Sequence, residues 1–250
     1  MPYLPGKSVE IYYERMGSGS PVIFLHSGFS RGILAFASQI LDFQGKYTCF
    51  FPDFRGHGRT KSDSLVWSTP QHADDILMFM DQLDIPKAHL IGYGMGGGVA
   101  LYCAVNQPHR VATLTSIGQS GFMASMGSEE FEPEWLIQNK KDDFIRSMEE
   151  RHLDAHLGNW QEFLRQKIKD WRTYPQLTND QLSSIPCPSL FVAGEYDEYA
   201  PEEDLKRVTS LIPHSRYVIV PGASHRPHMS RESPVFVNDN ILQFLETNSE

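Results

Sequence analysis

Cysteine is scarce: three residues in 250, Cys49, Cys103 and Cys187, an odd set with no metal-binding or redox spacing. That excludes a disulfide framework and reads as buried thiols in a reducing compartment, so the chain is expected to be cytoplasmic. Long apolar runs are also missing. No stretch approaches the roughly eighteen consecutive apolar residues of a membrane-spanning helix, and Met1 to Lys7 lacks a charged segment followed by an apolar run, so neither a membrane role nor an export signal is expected. Basic charge is in deficit, with 22 Lys and Arg against 31 Asp and Glu and a formal charge of -9, a balance that repels phosphate backbones. The densest basic stretch, Lys167 to Arg172, is broken by Asp170 and apolar residues and reads as a solvated helix face, so no nucleic-acid partner is expected. What is present, 40% hydrophobic and 12% aromatic residues, suffices for one large core or one core with an insertion.

Val9 to Arg15, Val22 to His26 and Tyr47 to Pro52 are β-branched and aromatic runs bounded by Gly, Pro and Asp, and read as strands. Apolar spacing predicts helices over Ile33 to Phe43 and over Thr69 to Leu83, the second with Pro70 at its first turn. Strand, helix and strand follow at Ala88 to Gly92, Met95 to Val105 and Val111 to Ile117. The alternation resumes with strands at Ser189 to Ala193 and Arg216 to Val220 and helices at Glu202 to Leu211 and Val235 to Leu245. Such an order predicts the α/β class, a mostly parallel central sheet flanked by helices.

Between these blocks, Phe122 to Ser184 offers no strand, yet carries Trp135, Phe144, Trp160, Phe163 and Trp171 among dense charges at spacings suited to amphipathic helices. The expected organisation is a core domain of residues 1–121 and 185–250 with a helical insertion over 122–184. Its aromatics are expected mainly to pack the insertion onto the core, with one or two left to line a cavity.

The sharpest local signal is the turn Gly92-Tyr93-Gly94-Met95-Gly96-Gly97-Gly98 between a strand and a helix. Gly92, Gly94 and Gly97 satisfy G-x-G-x-x-G, the dinucleotide fingerprint. That reading wants an acidic residue about twenty positions on, and none occurs from Val99 to Ser128. The other reading is a nucleophile elbow, G-x-S-x-G, which Gly92 to Gly96 fits everywhere except at the serine.

On the second reading the chain resembles the α/β-hydrolase family over nearly its whole length. Leu25-His26-Ser27-Gly28-Phe29 resembles the family's His-Gly loop, and Asp53-Phe54-Arg55-Gly56-His57-Gly58 is similar to its D-x-R-G-x-G turn. Gly194-Glu195-Tyr196-Asp197 and Pro221-Gly222-Ala223-Ser224-His225 stand where the family places its triad acid and triad histidine. The resemblance implies a helical cap, no cofactor and no metal. It also implies hydrolysis of a carboxylic ester, thioester or lactone, with His225 as general base, Asp197 orienting it, and the backbone N–H of Met95 with that of Gly28 or Phe29 as oxyanion hole. The expected partner is a small-molecule substrate, and the tryptophans suggest an apolar or aromatic acyl group.

The nucleophile position is Gly94, which has no side chain to attack with. Cys103 lies nine residues along the same helix, about 13 Å away, and nothing in the sequence aims the Ser27 hydroxyl at a substrate. The expectation is therefore an inactivated serine hydrolase. Its rivals are a natural lyase or cyclase with His225 as base, and a ligand-binding protein. His228 reads as an ordinary polar residue, and His26 and His57 as hydrogen-bonded scaffolding. His152 and His156 have zinc-like spacing without the glutamate of H-E-x-x-H and read as a solvated face. Glu195 and Glu198 flank Asp197 as weaker candidates for the triad acid.

Overall fold

The computed structural model describes residues 3–229 and 231–248. The β-branched and aromatic runs form β1 (Tyr3–Pro5), β2 (Val9–Met16), β3 (Ser20–Leu25), β4 (Tyr47–Pro52), β5 (Lys61–Ser62), β6 (Ala88–Tyr93), β7 (Val111–Ile117), β8 (Ser189–Gly194) and β9 (Ser215–Val220). They make one sheet in the order β1-β2-β4-β3-β6-β7-β8-β9, with β5 beside β2. From β4 to β9 every neighbouring pair along this order is parallel, while β2 joins β1, β4 and β5 antiparallel. Every residue of β4, β6 and β8 is buried, as strands covered on both faces by crossover helices must be. The expected fold class is the one observed.

The helices are α1 (Gly32–Ala35), α2 (Ile40–Phe43), α3 (Thr69–Gln82), α4 (Met95–Asn106), α5 (Pro133–Gln138), α6 (Asp142–Arg151), α7 (Leu153–His156), α8 (Trp160–Trp171), α9 (Asn179–Ser183), α10 (Glu202–Leu211) and α11 (Pro234–Thr247). One face of the sheet packs on Ile76 and Phe79 of α3, Val99 and Leu101 of α4, and Leu205 of α10. The other packs on Phe36, Phe43 and, from α11, Ile241 and Phe244. α3 starts cleanly because Ser68 accepts the Gln71 N–H and Pro70 sits in the first turn.

The single helix expected over 33–43 is instead two short turns, α1 and α2. Phe36 leaves the helical region at φ -124°, and the buried Gln39 donates its amide to the His228 carbonyl at 2.9 Å and to Asn238 Oδ1 at 2.8 Å. Tertiary hydrogen bonds fix the chain there against its own helical periodicity.

Between β7 and β8 the described residues contain α5 to α9 and no strand. The aromatics of this segment divide. Trp160 and Phe163 join Trp67, Leu136, Met148 and Leu164 in a separate buried cluster, whereas Phe144 and Trp171 line a cavity.

Arg55, in the turn after β4, donates to both carboxylate oxygens of Asp75 on α3, at 2.9 and 2.7 Å, with both side chains largely buried. Arg55→Met leaves that carboxylate unpaired and is expected to cost about 3–5 kcal/mol of unfolding free energy in urea, while Arg55→Met with Asp75→Leu recovers most of the loss. An additive penalty in the double variant would contradict this account of the pair.

Candidate active site

Gly94 is the sharp corner between β6 and α4, with φ +54° and ψ -117°. Its N–H donates to Ile117 O at 2.8 Å, and its carbonyl accepts the N–H groups of Gly97 and Gly98. A side chain in this conformation is strained, and glycine removes that strain. A Cβ built on Gly94 would lie 3.7 Å from His225 Nε2 and 3.4 Å from Ser27 Cβ. A side chain at this position would therefore point at the imidazole.

The other glycines of the turn serve packing. A Cβ on Gly92 would come within 2.1 Å of Gly96 O, and one on Gly96 within 1.9 Å of Leu25 O. These contacts seat the start of α4 directly on the ends of β3 and β6, which accounts for the glycine spacing without a bound nucleotide.

His225 follows β9, and its Nδ1 faces Asp197 Oδ1 and Oδ2 at 3.0 and 3.1 Å. Asp197, in the turn after β8, is almost wholly buried and also accepts the N–H groups of Tyr199 and Ala200 at 3.0 and 3.2 Å. An acceptor at Nδ1 places the imidazole proton there and leaves the Nε2 lone pair toward Gly94. Of the two flanking acids, Glu195 is used elsewhere, accepting the Gly222 N–H at 2.8 Å, and Glu198 makes no hydrogen bond to His225 among the described residues. Gly118, just past β7, makes room for the ring: a Cβ there would stand 2.9 Å from His225 Cε1.

Met95, Gly28 and Phe29 all border the same cavity, and among the described residues their backbone N–H groups donate to no protein group. Phe29 is fixed by its carbonyl, which accepts from Arg151 Nη1, and by its ring, which stacks on Phe131 at 4.8 Å. Gly28 is covered closely by a side chain: a Cβ there would fall 1.8 Å from Lys167 Cε. The cavity has a volume of about 470 Å³ and is walled by Gly94 and His225 below and by Phe131, Phe144, Lys167 and Trp171 of the helical segment. Sites of this size and lining take small molecules.

The basic stretch on α8 departs from its expected solvated character, since Lys167 and Asp170 are 5% and 3% exposed. They lie on the inward side with Phe163, Leu164 and Ile168. A signal existed in the sequence, because Lys167 falls on the Trp160, Phe163, Leu164, Ile168, Trp171 stripe at helical spacing. His152 and His156 are likewise buried rather than solvated. The His152 ring stacks on Phe163 at 4.5 Å, and its Nδ1 accepts the Gly58 N–H at 2.9 Å.

His26 and His57 are scaffolding as expected. His26 Nε2 accepts the Phe54 N–H at 2.9 Å, and the His57 nitrogens face the carbonyls of Arg55 and Gly28 at 3.0 and 3.1 Å. Burial pushes the pKa of His26 down to about 3 and that of His57 well below its usual value. His228 is buried with Nε2 against Ala35 O at 3.1 Å. Cys103 is buried in the core, and desolvation raises its thiol pKa, so it takes no part in the site.

This turn, this acid–histidine pair and this sheet order define a hydrolase scaffold, and residues 22–239 match the model of the alpha/beta hydrolase family. The chain belongs to that family. It is 26% identical to a non-heme haloperoxidase of Rhodococcus erythropolis over 99% of this chain and all of that one. It is 24% identical to a pimeloyl-[acyl-carrier protein] methyl ester esterase of Aeromonas hydrophila, over 89% and 94% of the two chains. In fold it resembles a carboxylesterase structure from Nitrososphaera gargenis with TM-score 0.82 and 20% identity, covering 99% of each chain.

Proposed function

We propose that this protein is an acyl-substrate hydrolase of the family in which the nucleophile is absent. Esters, thioesters or lactones with an apolar or aromatic acyl group would bind between the core and residues 122–184 acting as a cap, in a cytoplasmic setting and without a cofactor. His225 is the base, Asp197 holds its tautomer, and the free N–H groups of Met95 with Gly28 or Phe29 receive the developing oxyanion. The aromatic rings of Phe29, Phe131, Phe144 and Trp171 support the apolar specificity. The observation that carries the reading is the built Cβ of residue 94, 3.7 Å from His225 Nε2, which is where a serine would hand its proton to the imidazole.

With no attacking oxygen at position 94, the chain as it stands would hold such substrates without forming an acyl-enzyme. Intact mass spectrometry after incubation with p-nitrophenyl butyrate tests this. The chain should gain no adduct, whereas Gly94→Ser should gain one butyryl group in a reaction abolished by His225→Ala. Turnover by the unsubstituted chain that depends on His225 but leaves no adduct would instead favour chemistry in which His225 acts as a base alone.

A further inference from the structure

Lys167 is a buried cation without a counterion in contact. Its ammonium makes no hydrogen bond and no ion pair within 4.0 Å among the described residues, although the side chain is 5% exposed. The neighbouring Asp170, one turn along α8, has both carboxylate oxygens committed to the Thr69 N–H and hydroxyl, at 2.7 Å each. Nζ lies 5.7 and 5.5 Å from the ring centres of Phe29 and Trp171, close enough for cation–π attraction but with no acceptor atom. Buried charges in proteins are ordinarily paired and hydrogen-bonded, because desolvation without compensation costs several kcal/mol.

The direction of the unfilled side is clear. Lys167 lines the cavity that contains Gly94 and His225, and its Nζ would be 2.7 Å from a Cβ on Gly28. The ammonium thus stands over the same loop whose N–H groups are free. The other cations of the cavity are differently placed: Arg151 is engaged with the Phe29 carbonyl and with Ser147 Oγ at 2.9 Å, and Arg226 is exposed.

We propose that Lys167 is a specificity-determining residue that takes a carboxylate of the ligand beside Gly28, so that the protein selects carboxylate-bearing acyl compounds over neutral ones. A single ammonium between two aromatic rings suits a planar monoanion carried on an apolar or aromatic body. A carboxylate there exchanges hydration for a charge-assisted hydrogen bond in a site of low polarity, the arrangement in which such bonds are strongest. The proposal rests on reading this cavity as the acyl-substrate site, but its test requires no catalysis.

Isothermal titration calorimetry with benzoate and with its neutral isostere benzamide gives the result directly. The unsubstituted protein should bind benzoate at least tenfold more tightly than benzamide. Lys167→Met should erase that preference, and Arg226→Gln should retain it. Gly28→Ala, whose Cβ must push Lys167 aside, should weaken benzoate selectively and so provides a second perturbation should Lys167→Met fold poorly. Equal affinity for the two ligands, no binding of either at millimolar concentration, or a preference that survives Lys167→Met but not Arg226→Gln would overturn the proposal. None of these outcomes depends on whether Gly94→Ser creates an esterase, so the two readings fail separately.

Discussion

Gly94→Ser is expected to raise hydrolysis of short p-nitrophenyl esters by about three orders of magnitude or more. The size follows from the converse experiment in other triad enzymes, where deleting the nucleophile lowers turnover about 10⁶-fold and leaves about 10³-fold over water from binding and the oxyanion hole. On the proposed reading, His225 as base, Asp197 as its orienting acid and the free N–H groups need only one hydroxyl at position 94 to complete the set. A built Cβ at 94 has 3.4 Å to Ser27 Cβ and 3.7 Å to His225 Nε2, so no backbone atom crowds it. The cost falls on stability. A residue with a Cβ at φ +54° and ψ -117° is strained, and the variant should unfold about 1–3 kcal/mol more easily. Gly94→Ala should show the same loss of stability without any gain in rate, which separates strain from chemistry. If Gly94→Ser hydrolysed no faster than Gly94→Ala, the reading of His225 and Asp197 as a waiting base and acid would be wrong.

Acid should unfold this protein unusually early. Six buried histidines, His26, His57, His72, His89, His152 and His228, have pKa values pushed down chiefly by desolvation, to about 3 for His26 and His228 and about 4 for His89. In the unfolded chain each takes a proton near pH 6.5, which the folded chain refuses. The stability they permit is complete above that pH and is lost as pH falls toward the folded values. Each contributes up to about 1.4 kcal/mol per pH unit below 6.5, and a domain holds only about 5–15 kcal/mol in total. Burial of Asp53, Asp75 and Asp170 raises their pKa values and so opposes the histidines, but only in the lower range where carboxylates titrate. The unfolding midpoint, followed by circular dichroism and tryptophan fluorescence, should therefore lie between about pH 4.5 and 6.

His72 offers a sharper check on the same point. Among the described residues neither ring nitrogen has a hydrogen-bond partner, and the ring lies against Phe54 at 4.8 Å. His72→Leu should remove about one proton from the acid slope and move the midpoint down. A urea midpoint unchanged between pH 7 and 5 would count against the whole assignment.

The core of the fold was legible because its chemistry is local. Tyr47–Pro52 and Ala88–Tyr93 are apolar on both faces and bounded by breakers, which is how strands of a covered parallel sheet are written. The corner at Gly94 was legible as a glycine turn between a strand and a helix, while Asp197 and His225 were singled out by the family resemblance, and the structure brings all three together. What escaped was decided by contacts far apart in sequence. Counting charges along Lys167 to Arg172 does not say which side of α8 turns inward, and the stripe of Trp160, Phe163, Leu164 and Ile168 that does say so is spread over more than two turns. The burial of His152 depends on the Gly58 N–H, 94 positions away. The break between α1 and α2 depends on Gln39 meeting His228 and Asn238, 189 and 199 positions away. No local periodicity encodes such partners.

The roof of the cavity is bolted down. Asp170 grips the first residue of α3, Gln166 donates its amide to the Trp67 carbonyl, and His152 receives the Gly58 N–H. A lid hinged like a jaw would have to break these buried links with every visit. On the proposed reading, a guest would enter a chamber shaped before it arrives, so its own breadth and rigidity would govern admission and little ordering of the protein would weaken its affinity.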